Sequence, residues 1–357
     1  MARRADSVVG IDLGKHAFKA VSLRRKSDAR LVLTNFASCD VPEEFSSPDD
    51  LAQHVKSLLR ELGGTTKACA VAASDPHALL RIIEQPDTPV DLLRSALRLN
   101  GLAVLNQECK DFVLDVAPVS LNGSHSFEGD HAGAERTTTA TSVMTQTKYL
   151  VGGMRRDSVK QIVQAMNKTR VTAQILQLAP VCSFNGFQFA YPEIFHHEAF
   201  LLLDTGHLQS TVLVGSKGEL VLVRRIDYGG KALDQALTAE GALERDSAWT
   251  LVEQGDAAMT DICRTSLARL ATEVRNSIGF FEGQREESIQ RVFVSGGLAR
   301  VDTILQTLSD ELGLACEIWD PLETCDVALP AAKRDALPTE FVSLNVACGA
   351  AFEYLRG

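Results

Sequence analysis

The alternation of apolar and polar residues over 8–21 predicts a strand, a tight turn and a second strand. Val8, Val9 and Ile11 form an apolar run. Asp12, Gly14, Lys15 and His16 interrupt it, and Phe18, Ala20 and Val21 resume it. The same layout returns at 200–214. Leu201, Leu202 and Leu203 lead into Asp204-Thr205-Gly206-His207, and Val212, Leu213 and Val214 follow. Two such hairpins far apart in the chain predict two similar half-molecules whose tips face each other across a cleft.

The rest of the pattern fits around these hairpins. Residues 29–39 read as a third strand. A helix capped by Ser47 or Asp49 runs to about Leu62, with Leu51, Val55, Leu58, Leu59 and Leu62 on one face, and Gly63-Gly64 stops it. Residues 68–73 form a short apolar strand, so the first half has the order β-β-β-α-β. Residues 79–178 read as an inserted small α/β subdomain. It contains an apolar segment at 79–83 that ends at Pro86, a helix at 89–105 with Leu92, Leu93, Ala96 and Leu99 inward, alternating strands at 111–119 and 143–152, a helix at 157–167 and a strand at 172–178. The polar stretch 121–142 reads as a long mobile loop, with His125 and His131 solvated.

A helix at 180–188 joins the halves. In the second, the strand 220–226 runs into Gly229-Gly230 and a helix at 231–237. This diglycine is either an ordinary connection or a turn that aims the helix N-terminus at the cleft. One long helix, or two, spans 257–283. Glu273 and Asn276 share a face of it, open to a ribose or to solvent. A strand then meets Gly296-Gly297 and a helix at 301–313. Neither the G-x-G-x-x-G nor the G-x-x-x-x-G-K-[ST] spacing is present. The final helix, 343–354, carries Ala347, Gly349, Ala350 and Ala351, which permit close helix packing. The expected organisation is a first lobe at 1–78, the insert at 79–178, and a second lobe at 179–357 whose last helix returns to the first.

At 357 residues and 45% hydrophobic content, the chain can build two lobes with real cores. A net charge of −10 argues against nucleic acid as the main partner. No apolar region follows Ala2-Arg3-Arg4 and no run is long enough to span a bilayer, so the expectation is a soluble, intracellular protein. The 8 cysteines form no C-x-x-C pair and read as free thiols rather than metal ligands.

Candidate chemistry lies at the two tips. Gly14 and Gly206 let backbone approach a bound group, and Asp12 and Asp204 add carboxylates. That combination suits Mg²⁺ and phosphate, although Asp-x-Gly alone also serves as a plain turn. The repetition points to a triphosphate held between the tips.

Taken in order, Asp12-x-Gly14, the insert, Asp204-x-Gly206, the helix bearing Glu273 and the Gly296-Gly297 turn resemble the actin-like ATPase superfamily, with its two-lobed ribonuclease H-like α/β fold. Nearly the whole chain is similar to the PilM/FtsA branch, and to PilM more than FtsA. The likeness is carried by 9–21, Arg81-Ile82-Ile83-Glu84-Gln85-Pro86, Ile226-Asp227-Tyr228-Gly229-Gly230, 277–282 and 294–300. It implies a scaffold of type IV pilus or type II secretion machinery, at the cytoplasmic face of the inner membrane. Such a scaffold binds ATP with Mg²⁺, hydrolyses it weakly or not at all, and captures the cytoplasmic N-terminal tail of a PilN-like inner-membrane protein in a groove by the insert. Homo-oligomers are left open.

Carried over by position, Asp12 and Asp204 would hold the Mg²⁺ water shell. Gly14, Lys15, His16, Gly206, His207, Gln209 and Ser210 would line the phosphates, with Lys19 adding charge. Glu273 and Asn276 would face the ribose, and Gly230, Gly296, Gly297 and Arg300 would flank the nucleoside. The tips depart from the pattern, since Lys15-His16 and His207-Leu208-Gln209 stand where small hydroxyl residues are usual. An FtsA-like division protein is a second reading. It calls for an amphipathic membrane helix after the core, whereas the sequence stops at Leu355-Arg356-Gly357. A phosphotransferase on the same fold is a third, and it calls for a base that the sequence does not single out.

Overall fold

The computed structural model describes residues 6–27, 30–119, 146–239 and 243–356; the expected loop 121–142, with His125 and His131, lies outside them. The first sheet begins with β1 (Ser7–Leu13), β2 (Ala17–Ser27) and β3 (Arg30–Asp40). Helix α1 (Pro48–Leu62) follows, and then β4 (Ala68–Ala73). Ser47 caps α1 by accepting from the Asp50 N–H at 3.2 Å, and Gly63 ends it at φ 69°. Strand β1 pairs antiparallel with β2 and parallel with β4.

Strand β5 (Leu79–Pro86), α2 (Val90–Leu105), β6 (Phe112–Pro118) and β7 (Gln146–Arg155) come next. They build a compact unit of their own, Leu79–Gly153, with sheet order β5-β7-β6. It ends earlier than the expected 79–178. Helix α3 (Arg156–Met166) buries Ala165 and Met166 in the core under α1, and β8 (Thr172–Leu178) pairs parallel with β4. Both therefore belong with the first sheet. The expected inward face of α2 is also corrected. Leu93, Leu97, Gly101 and Leu105 are buried, while Leu92 and Leu99 are 62% and 87% exposed.

Helices α4 (Ala179–Ala190) and α5 (Pro192–His197) lead into the second sheet. Strands β9 (Ala199–Thr205), β10 (Ser210–Ser216) and β11 (Glu219–Ile226) repeat the first three. Then come α6 (Gly230–Thr238), α7 (Arg245–Glu253) and the single long helix α8 (Ala257–Gln284). Strand β12 (Arg291–Gly296), a 3₁₀ turn (Gly297–Arg300), α9 (Asp302–Leu312) and β13 (Ala315–Ile318) complete it. Five strands of the first sheet run in the order β3-β2-β1-β4-β8, with one further strand beside β3, and the second sheet runs β11-β10-β9-β12-β13, so the same five-strand arrangement occurs twice. This bears out the two similar halves expected from the repeated hairpins.

The chain then returns to the first half. Strand β14 (Asp326–Val327) pairs with β3, and short helices α10 (Ala331–Arg334) and α11 (Leu337–Glu340) lead to α12 (Asn345–Arg356). Helix α12 is buried against β1 and α4, and small residues let the backbones approach closely at two points. A Cβ on Gly349 would stand 1.7 Å from the Cys182 carbonyl oxygen, and one on Gly10 would stand 2.1 Å from that of Ala347. All 8 cysteines are free, as expected. Among the described residues, no helix is long and apolar enough to cross a membrane.

Candidate functional site

The two aspartates occupy equivalent places in the two sheets. Asp12 on β1 lies between Lys19 of β2 and Ala72 of β4. Asp204 on β9 lies between Thr211 of β10 and Ser295 of β12. Ala72 and Ser295 are thus counterparts, and their side chains decide the electrostatics. Ser295 Oγ donates to Asp204 Oδ1 at 3.0 Å, and Asn345 Nδ2 donates to the same oxygen at 3.1 Å. Ala72 has nothing to donate. Asp12 is 5% exposed, and its Oδ1 has no hydrogen-bond partner among the described residues. Its nearest counter-charge is Lys19 Nζ, 3.8 Å from Oδ2.

Burial pushes the Asp12 carboxyl up to about 6. Lys19 opposes the rise, and the negative charge of Asp204 adds to it. The two carboxylates therefore sense each other. A bound cation would relieve both their repulsion and the orphaned oxygen; these two carboxylates are the donors on offer, and no group of three or more His, Cys, Asp or Glu that could hold a metal ion stands together among the described residues.

Asn345 is the residue that sequence reasoning missed. It opens α12, is buried, and its Nδ2 lies 3.1 Å from Ser183 Oγ on α4, from Asp204 Oδ1 and from Ser295 Oγ. One amide joins both helices that cross between the halves to the base of the second hairpin. A lone Asn ahead of small residues carries no periodic signal. Its only hint was its position before the close-packing run.

The tips are tight. A Cβ on Gly14 would meet the Ala17 carbonyl oxygen at 2.6 Å, and one on Gly206 would meet that of Gln209 at 2.6 Å. Gly229 must be small because a Cβ would stand 2.5 Å from the carbonyl oxygens of Gly206 and His207. Gly296 combines φ +93° with the Thr205 carbonyl oxygen 2.3 Å from an added Cβ.

The remaining expected residues are placed as follows. Gly230 and Lys231 donate their N–H groups to the carbonyls of Gly206 and His207, each at 2.9 Å. The start of α6 is therefore spent on the second tip, which favours the ordinary connection over the other reading of this diglycine, donors aimed at the cleft. Gln209 Nε2 donates to Asp227 Oδ1 at 2.6 Å, and Ser210 Oγ to the Tyr228 carbonyl at 2.8 Å. Both side chains brace the end of β11. Lys15 is half-buried at the first tip. His16 stacks on His207 with ring centroids 4.6 Å apart, so the two tips meet. Glu273 pairs with Arg224 of β11 at 3.0 Å, and Asn276 is exposed on α8. Arg300 is held by Glu340 and Ser343, both at 2.7 Å, beside the unobstructed Gly297. The geometry gathers Asp12, Lys19 and Asp204, and separately His16 and His207. No hydrogen bond among the described residues links Glu273 or Asn276 to either hairpin.

Comparison with known proteins adds the family. The family model for type IV pilus assembly protein PilM matches residues 135–355. No curated protein sequence matches the chain. A solved PilM-PilN type IV pilus biogenesis complex is similar at 23% identity and a TM-score of 0.82, over 99% of this chain and 100% of that one. The ethanolamine utilization protein EutJ from Carboxydothermus hydrogenoformans has 14% identity and a TM-score of 0.53, over 100% and 92% of the two chains. A nucleotide-free diol dehydratase-reactivating factor has 9% identity and a TM-score of 0.54, over 99% and 100%. These likenesses show the fold, which is that of the actin-like ATPases. The family match spans more than half of the sequence, and the chain belongs to the family of type IV pilus assembly proteins PilM.

Proposed function

We propose that this chain is an actin-like scaffold of a type IV pilus, or related type II secretion, assembly platform. It holds ATP with Mg²⁺ weakly between its two hairpins. It also docks the cytoplasmic N-terminal tail of a PilN-like inner-membrane protein, which keeps it at the cytoplasmic face of that membrane. The observation that carries the nucleotide reading is the buried, unpartnered Asp12 Oδ1 within the field of Asp204. Burying such a group costs free energy unless a ligand completes it, so its position calls for one.

In this reading Asp12 and Asp204 hold the metal's water shell, and bound Mg²⁺ supplies positive charge to the phosphates. Gly14, Lys15, His16, Gly206, His207, Gln209 and Ser210 border the phosphates, and Lys19 tempers the charge on Asp12. Glu273 and Asn276 take the ribose side, and Gly230, Gly296, Gly297 and Arg300 the nucleoside. No residue is assigned as a catalytic base.

The tail-docking reading is supported by family membership and by the insert. Leu92 and Leu99 of α2 stand 62% and 87% exposed, and Leu102, beyond the kink at Asn100, stands 57% exposed; these apolar side chains suit an apolar peptide. The test is fluorescence anisotropy with a labelled peptide of the partner's N-terminal tail. Saturable binding that Leu99→Glu weakens is expected. A peptide that binds neither wild type nor variant removes the docking reading.

A further inference from the structure

The two tips are joined by more than the imidazole stack. The His16 and His207 rings lie 22° from parallel, and the His16 carbonyl accepts from the Val41 N–H at 2.8 Å. Two residues on, Glu43 reaches across to the second half. Its Oε1 and Oε2 accept from Lys231 Nζ at 2.6 and 2.8 Å, and Oε1 lies 3.3 Å from His207 Nε2. The Lys231 N–H in turn donates to the His207 carbonyl. The second tip and the start of α6 therefore form one piece, and the first half grips it at two places, by a ring and by a carboxylate.

The chemistry of the grip matches that of a phosphate ligand. In the nucleotide reading His207 borders the phosphates, and Glu43 gives that ring and the neighbouring Lys231 ammonium carboxylate oxygens instead. The Lys231 ammonium and the His207 ring hold the Glu43 carboxyl below its usual pKa, so it is anionic near neutral pH. Burial and the neighbouring His207 push the His16 imidazole down, so its ring is neutral there and free of charge repulsion in the stack.

We infer that His16, His207, Glu43 and Lys231 form an autoinhibitory latch: Glu43 stands in for a ligand anion, and nucleotide enters only when the two tips part. The inference rests on the nucleotide reading above for its ligand, but the latch itself can be read without one. In a two-state cleft, a ligand that binds only the open form has an apparent affinity reduced by the open fraction. With that fraction at roughly 10% or less, freeing the latch raises apparent affinity about tenfold or more.

The experiment uses the full chain as wild type, Glu43→Ala and His16→Ser. Amide hydrogen exchange is followed at 14–17 and 206–209 without nucleotide, and MgATP is titrated by calorimetry. Both variants are expected to speed exchange at both tips by about tenfold and, where MgATP binds, to tighten it by a similar factor. Unchanged tip exchange overturns the latch, and so does faster exchange with unchanged MgATP affinity. If no form binds MgATP while both tips loosen, the latch is supported and the nucleotide reading fails. Equal MgATP binding by all three proteins with unchanged exchange does the reverse.

Discussion

Replacing Asp12 with Asn removes a buried charge while keeping the shape of the side chain. An acid whose pKa is higher in the folded chain holds its proton more tightly there, so ionisation weakens folding as pH rises. For Asp12 the window runs from the ordinary value of 3.8 to about 6. Two units correspond to about 3 kcal/mol, lost progressively across that window and lost in full above it. The opposing pull of Lys19 is already contained in that shift. Asp12→Asn does not titrate, so it gains relative to wild type as pH rises, by about 2 to 3 kcal/mol between pH 4 and pH 7.5. Urea unfolding of both proteins at those two pH values measures the difference directly. A stability difference that stays constant with pH, or moves against the variant at high pH, would refute the assignment of an uncompensated buried carboxylate.

Further expectations follow from the same geometry. Ala72→Ser places a hydroxyl where Ser295 serves Asp204, so it should draw the Asp12 carboxyl down and flatten the dependence of stability on pH between 4 and 6; an unchanged profile contradicts this. Asn345→Leu takes the amide away from Ser183 Oγ and leaves buried Asp204 Oδ1 with the Ser295 hydroxyl alone among the described residues, and equilibrium unfolding should show a loss of roughly 2 kcal/mol. Gly349→Ala forces a methyl onto the Cys182 carbonyl and should cost about 3 kcal/mol, whereas Gly297→Ala, with nothing nearby, should stay within about 0.5 kcal/mol.

Both hairpins were legible because an apolar run, Asp-x-Gly and a second apolar run are local signals. The repetition of that signal made the two-half architecture readable. The capped α1 and the small-residue α12 were legible for the same reason. What failed depends on partners distant in sequence. Helix α2 is apolar on two sides, so its spacing could not choose between Leu92/Leu99 and Leu93/Leu97 as the buried stripe. The insert was drawn too long because nothing local in β8 announces that it will pair with β4. Short α5 and the modestly amphipathic α7 passed without a strong period. At the site, the Asp pair stood out from its turns. Asn345 did not, because its role comes from three oxygens on α4, β9 and β12, all 3.1 Å from its Nδ2, that only the folded chain assembles. The bulk of His16 and His207 was visible, but their stacking against each other was not.

The nucleotide site between the hairpins is tested most directly by calorimetric titration of MgATP into wild type and into the double variant Asp12→Asn, Asp204→Asn. Saturable binding to wild type that the double variant loses, and that chelation of Mg²⁺ also abolishes, is the predicted result. Binding that survives both substitutions, or a wild-type chain that takes up no MgATP, would contradict the account.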